Sequence, residues 1–265
     1  MIRPELARGL IAATGGFATS VWRLETTTCS YALRAFRAHE LPVLQREVSV
    51  MHAAGRAGIP VPSVHAIGTY DDRPALLIDW CPGRVMADAV RLQPWLLPRL
   101  SFALGRLHRR LHAVQAPVGL RAGWIDWPRP ADQPLAAHLR SIPLMPDRLL
   151  HMDFHPFNVL VEERRTSAVI DWTNAHAGDP RADFARTVSI LRLAPPLDDP
   201  AQRIARLAFE SFWRLGYGPP GPHMAAFYAW AGGALLHDLG DRFAPAELAP
   251  ARGWTDSWRR HLQLR

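Results

Sequence analysis

The sequence contains no lysine: all 31 of its basic residues are arginine. A formal charge of +7 would ordinarily suggest a nucleic-acid partner. Exclusive use of arginine, however, points to a bias of the coding sequence. The arginines are also scattered, "LHRRLH" being the densest group. A solvated basic surface is expected, with no nucleic acid bound. Cysteine is nearly absent too. Cys29 and Cys81 form no CxxC pair, which leaves a disulfide framework or thiolate zinc site without support and points to a reducing cytoplasm. No apolar run approaches the roughly 18 residues of a membrane span. The first 20 residues lack the sustained apolar region of a signal peptide, so neither membrane insertion nor export is expected. There is no internal repeat and no low-complexity tail. With 265 residues, 48% of them hydrophobic, the chain is long enough for one large domain or two small ones around a substantial core.

The first 80 residues read as strand-rich. "VWRLE" and "YALRAFR" alternate on either side of the turn-like "TTTCS", and "ATGGFATS" joins an earlier strand to Val21. A helix is expected over about residues 40–56, with Leu44, Val48, Met51 and Ala54 on one stripe, ended by Pro60 and Pro62. "SVHAIGTYDDRPALLIDW" then reads as two strands about a turn at Asp71–Pro74, and "CPG" as a hinge-like break. Beyond residue 85 the pattern turns helical. Leu100, Leu104, Leu107, Leu111 and Val114 mark one buried face, and helices dominate from Asp179 onward, apart from a hairpin at "NVLVEERRTSAVID".

The most informative stretch is "LLHMDFHPFNVLVEERRTSAVIDW", residues 149–172. On a strand, His151, Asp153 and His155 would point one way and could converge on zinc as in a metallohydrolase. Pro156 favours a loop instead, and a fourth ligand would be needed. His108 and His112, four apart, lack the glutamate of an HExxH site and read as a partly exposed helix face. A second reading uses every piece. A carboxylate that orients a hydroxyl, an asparagine five residues later and Asp171 on the far strand of a hairpin make a phosphoryl-transfer site. Asn158 and Asp171 would offer hard oxygens to Mg²⁺, brought together at one end of the hairpin.

"HMDFHPFN", "VIDW" and "GDPRADFA" together resemble the aminoglycoside phosphotransferase family, small-molecule kinases with a protein-kinase-like fold. The motifs cover residues 149–185 and the looser likeness runs from about residue 9 to 240. The resemblance implies that Asp153 is the catalytic base, that Asn158 and Asp171 hold magnesium, and that His151 braces the loop. Asp179, at a helix start, and Asp183 would be structural.

The N-terminal part agrees. In "GGFATS", the backbone N–H groups of Gly15, Gly16, Thr19 and Ser20 would face nucleotide phosphates. Ala32 is small enough to admit adenine against its strand, and Arg34, on the same side, would reach the phosphates. Glu47 falls on the buried face of its helix, where an unpaired carboxylate is costly, so Arg34 is its expected partner. Backbone groups from Asp79 to Cys81 would bond the adenine edge. Three features depart from the family's pattern. Arg34 stands where protein kinases have lysine; Met152 and Phe157 replace two glycines common in the family's loop and are expected to narrow the space around Asp153; and "DWTNAHAGDP" leaves no room for a regulatory activation loop.

The sequence therefore predicts an α+β, two-lobed kinase-like fold. Residues 1–82 would form the nucleotide-binding lobe, and residues 83–265 the helical lobe carrying the catalytic loop and acceptor site. The expected activity is transfer of the γ-phosphate of ATP or GTP, with Mg²⁺, to a hydroxyl of a small molecule. An inactive nucleotide-binding protein of the same fold and the zinc hydrolase are the alternatives. Residues 187–265 carry seven acidic residues against nine arginines, a poor match to a polycationic acceptor. Phe212, Trp213, Tyr217, Phe227, Tyr228 and Trp230 read mostly as core, with one or two available to line an apolar acceptor pocket.

Overall fold

A computed structural model describes residues 9–12, 20–128, 132–196 and 199–264. Strands β1 (Gly9–Ala12), β2 (Ser20–Glu25), β3 (Ser30–Ala35), β4 (Val64–Tyr70) and β5 (Arg73–Asp79) form one antiparallel sheet in the order β1-β2-β3-β5-β4. Helix α1 (Leu41–Arg56) buries Leu44, Glu47, Val48, Met51 and Ala54. It stops before the prolines. Gly58, at φ 74, closes it with Gly58 N–H on the Gly55 carbonyl and Ile59 N–H on that of Ala54, a paired cap that needs a left-handed residue. The β4–β5 turn is also tighter than expected. Asp71 and Asp72 alone adopt positive φ, as a two-residue hairpin loop requires, and Pro74 lies within β5 opposite Thr69.

After the short β6 (Arg84–Val85) the chain is helical: α2 (Met86–Leu92), α3 (Leu97–Leu111), α4 (Gln133–Ser141), α5 (Pro180–Leu193), α6 (Pro200–Tyr217), α7 (Met224–Leu239) and α8 (Ala249–His261). Leu100, Leu104, Leu107 and Leu111 are all buried on α3. Helix α6 crosses α3 backbone to backbone. A Cβ on Gly105 would lie 2.0 Å from the Trp213 carbonyl, and one on Gly216 2.0 Å from that of Phe102. Only glycine permits this approach. It carries Trp213 and Tyr217 against His108.

Between α4 and α5 lie β7 (Arg148–Leu150), β8 (Val159–Glu162), β9 (Arg165–Val169) and β10 (His176–Gly178); β8 pairs with β6 and β9, and β10 with β7. Glu163 and Arg164, both at positive φ, turn the β8–β9 hairpin. A continuous apolar core runs from Phe36, Leu44 and Leu76 through Phe154 and Trp172 to Trp213 and Trp230. No helix among the described residues is long and apolar enough to cross a membrane.

Candidate active site

Residues 151–158 join β7 to β8 as a loop without strand pairing, so His151, Asp153 and His155 do not alternate along a pleat. His151 is buried, and its Nε2–H donates to the Ile170 carbonyl at 3.1 Å. Its Nδ1 accepts the Asp153 N–H at 3.3 Å. Burial pushes its pKa down and keeps the ring neutral. With one nitrogen bonded to the Ile170 carbonyl and the other to the Asp153 N–H, His151 cannot serve the zinc site envisaged from sequence. Met152 sits at φ 67, a region that L residues rarely occupy. Its side chain is buried in the core and that of Phe157 is 61% exposed. Phe157 packs edge-on to His155 at 5.9 Å, and the Asp153 side chain remains 26% exposed.

Asp183 fastens this loop from beneath. Its carboxylate accepts the N–H groups of His151 at 2.6 Å and Met152 at 2.9 Å, and His112 Nε2 at 3.2 Å; His108 Nε2 lies 3.3 Å away. Burial opposes the charge, yet these neighbours hold the carboxyl well below the usual range. The expectation that His108 and His112 are partly exposed is wrong: both are buried. Helix α6 covers their side of α3, with His108 stacked on Phe154 and His112 Nδ1 bonded to Tyr217 Oη at 2.8 Å. Burial pushes His108 to about 3. A carboxyl whose folded-state pKa is depressed stabilises the fold above its unfolded value, about 3.9, and loses that contribution as pH falls below it. Asp183→Asn is therefore expected to lower Tm by roughly 5 °C at neutral pH. The difference from wild type should shrink below pH 4, as thermal melts over pH 3–7 would show.

Asp153 faces the opening. Oδ2 accepts Asn158 Nδ2 at 3.1 Å and Oδ1 lies 3.1 Å from His155 Nε2. Burial alone would raise its pKa, but His155, then Arg186 and His151, hold it far below the carboxylate norm. Asn158 Nδ2 also donates to the Asp153 carbonyl at 2.9 Å, which leaves the carboxamide oxygen without a donor among the described residues. The Asn158 carbonyl accepts Ile170 N–H at 2.9 Å, drawing the next residue, Asp171, to the same place. Asp171 is exposed, adopts φ 61 and accepts Thr173 Oγ1 at 2.8 Å.

Arg34 Nη1 donates to Glu47 Oε1, both side chains being almost wholly buried. Burial disfavours the Arg34 charge, but Glu47 and Asp171 more than restore it. Burial raises the Glu47 carboxyl despite Arg34. The pair thus joins β3 and α1 within electrostatic reach of Asp171. Ala32 is buried two residues earlier on β3, and Ser20 opens β2 opposite Ala35. Gly15, Gly16 and Thr19 lie outside the described residues. The adenine-edge expectation needs narrowing. Asp79 N–H donates to the Ser63 carbonyl and Trp80 N–H to that of Ser30, while the Asp79 carboxylate holds Ser63 N–H and His65. Cys81 N–H is the donor not engaged among the described residues. Burial and Asp79 raise the Cys81 thiol to about 11. Trp213, Tyr217, Phe227, Tyr228 and Trp230 are buried core residues, and Phe212 is half-buried.

Sequence reasoning missed His155 as a partner of Asp153, having weighed it only as a zinc ligand. It also missed Arg186, a buried cation whose Nε bonds the Met152 carbonyl at 3.3 Å and whose Nη2 bonds Asp238 at 2.6 Å. The available signal was an arginine three residues after Asp183, set among Phe184, Ala185 and Val188 on the same helix.

A family model described as "Phosphotransferase enzyme family" matches residues 9–142 and 130–254. The crystal structure of aminoglycoside phosphotransferase APH(4)-Ia, 18% identical, superposes over 97% of this chain and 94% of its own with a TM-score of 0.70. Spectinomycin phosphotransferase APH(9)-Ia, in complex with ADP and spectinomycin, is 13% identical over 96% of this chain and 88% of its own, TM-score 0.61. Acyl-CoA dehydrogenase family member 10 of Mus musculus is 29% identical over 179 residues, 54% of this chain and 16% of the mouse protein. This chain therefore spans only a small part of that relative's length.

Proposed function

Because the chain belongs to the phosphotransferase enzyme family, we propose that it moves the γ-phosphate of ATP or GTP to a hydroxyl of a small molecule, with Asp153 as the group that receives the hydroxyl proton. The observation that carries this reading is Asp153 itself, an ionised, part-exposed carboxylate fixed between His155 and Asn158. A carboxylate so weakly basic orients the acceptor O–H first. It takes the proton as the new O–P bond forms and the bond to the leaving diphosphate breaks, in keeping with a loose transition state.

In this reading residues 1–82 bind the nucleotide, with Cys81 N–H at the adenine edge, Ala32 beside the ring and Arg34 toward the phosphates. The free oxygen of Asn158 and the exposed carboxylate of Asp171 are hard donors brought together by the Asn158–Ile170 bond, a set that fits Mg²⁺. Bound there, the ion would neutralise phosphate charge. His151 and Asp183 keep the loop in shape, and catalysis is otherwise positioning.

The test is a screen with Mg-ATP and Mg-GTP against alcohols, amino alcohols, sugars and antibiotics, run beside Asp153→Asn. The reading fails if no phosphorylated product depends on Asp153. Asp171→Ala is expected to weaken Mg-nucleotide binding about tenfold or more, with little effect on nucleotide binding in EDTA, and to abolish transfer. Calorimetry with and without Mg²⁺ reads this directly, and equal affinities with Mg²⁺ would remove Asp171 from the metal site.

A further inference from the structure

Beside the proposed base sit three arginines, Arg46, Arg121 and Arg186, of which only Arg186 is ion-paired among the described residues, to Asp238. Arg121 is fixed through its backbone carbonyl, which accepts Ala177 N–H of β10 at 2.8 Å, and by one long side-chain bond from Nη2 to the Thr173 carbonyl at 3.4 Å. Its guanidinium lies 5.7 Å from the centre of the Trp127 ring. Arg46 is half-buried on α1 beside Glu47, and α1 packs against the 172–174 turn whose Thr173 carbonyl holds Arg121; partial burial, then Arg46, lower the Arg121 pKa. His176 packs on the same Trp127 ring at 4.9 Å, and burial, then Arg121, push it to about 4. Arg186 also lies 5.7 Å from Trp127, and its Nη1 is buried without a hydrogen-bond partner. The nearby carboxylate, Asp238, is already shared between Arg186 Nη2 at 2.6 Å and Trp127 Nε1 at 2.8 Å. Among the described residues neither Arg46 nor Arg121 forms an ion pair.

Arg121 is exposed, Arg46 half-buried and Arg186 buried; guanidinium groups gathered in this way favour an anion, and their planar forks suit carboxylate and phosphate oxygens. The place is specific. Arg186 bonds the carbonyl of Met152, next to Asp153, and Arg121 bonds Thr173, two residues past Asp171. Arg121 and Arg186 therefore border the reacting centre from residues 83–265, the part assigned to the acceptor, and Arg46 approaches them from α1. We propose that Arg46 and Arg121, with Arg186 Nη1 behind them and Trp127 as a wall, form an anion subsite for the acceptor. The alcohol phosphorylated by this chain then carries a carboxylate or phosphate group near its hydroxyl, whereas a polycation is repelled. This assignment rests on Asp153 marking the acceptor side.

Two measurements test it. With the nucleotide site saturated by Mg-ADP, citrate and inorganic phosphate are titrated calorimetrically into wild type, Arg46→Gln and Arg121→Gln. Binding to wild type that weakens about tenfold or more in each variant is expected, and the tighter of the two probes identifies carboxylate or phosphate as the preferred group. No binding, or equal binding in all three proteins, overturns the subsite. Transfer is then compared across hydroxy acids, phosphate monoesters of diols, matching hydroxyamides and amino alcohols. An anionic series should have the lowest acceptor KM, and Arg121→Gln should act mainly on that KM, with partial rescue in Arg121→Lys and no change in nucleotide KM. Preference for the amide or amine sinks the proposal. If that happens while Asp153→Asn still abolishes transfer, the base assignment survives and only the subsite falls. If transfer survives Asp153→Asn, the base assignment falls, and the citrate and phosphate titrations alone decide the subsite.

Discussion

Asp153→Asn is expected to fold as wild type does, to bind Mg-nucleotide with similar affinity, and to turn over about 10²–10⁴-fold more slowly. The substitution preserves shape. Two contacts change: an amide nitrogen cannot accept the acceptor's proton, and one of the bonds to Asn158 or His155 must reverse or break, since Asn158 Nδ2 is itself a donor. Restraint from His151 Nδ1 acts on the Asp153 backbone N–H and survives the change, so the loop should keep its course. Comparison of kcat and nucleotide Kd between the two proteins separates the outcomes. A large fall in kcat at constant Kd supports the proton-accepting role; a parallel loss of binding would mean that the side chain serves the loop's shape, and near-normal turnover would remove Asp153 from the mechanism.

Arg34→Ala carries the second large effect. It strands Glu47, whose side chain has no exposure, and is expected to destabilise the protein by about 3–5 kcal/mol while raising the nucleotide KM. Glu47→Ala should raise KM as well, because Arg34 then loses the partner that aims it. Arg34→Lys keeps the charge but loses the planar fork and should fall between. In the double variant neither charge is stranded, so its loss of stability should be smaller than the two single losses added. Urea denaturation of the four proteins gives the coupling. Strict additivity, with nucleotide affinity unchanged in both single variants, would separate this pair from the nucleotide site.

What could be read from the sequence was set by local periodicity and short spacing. The stripe containing Leu44 and Val48 placed Glu47 inward, and a strand thirteen residues upstream supplied its partner. The β8–β9 hairpin brings Asn158 to Asp171 because its two ends adjoin by geometry. The failures share a different cause. His108 and His112 look like the polar flank of an amphipathic helix until Asp183, 71 residues beyond His112, comes beneath them. Asp79 and Trp80 look free until Ser63 and Ser30 take their amides across the sheet. Helix α1 ends at Arg56 as expected, but Gly58 rather than the nearby prolines closes it, and the β4–β5 turn is narrower than expected because Asp71 and Asp72 alone adopt left-handed backbone. Arg186 escaped notice because no local pattern shows that a cation on α5 will meet the Met152 carbonyl.

The left-handed backbone at Met152 has a consequence for the chain before it folds. Glycine at this point would reach φ 67 without strain but would also roam widely in the denatured ensemble. Methionine confines that ensemble and accepts a native conformation disfavoured by about 1–2 kcal/mol, with its buried side chain and the Asp183 bond to its N–H opposing the strain. Fewer denatured conformers then compete with the one that presents Asp153. The geometry of the reacting loop is thus set partly by restricting the disorder from which it forms.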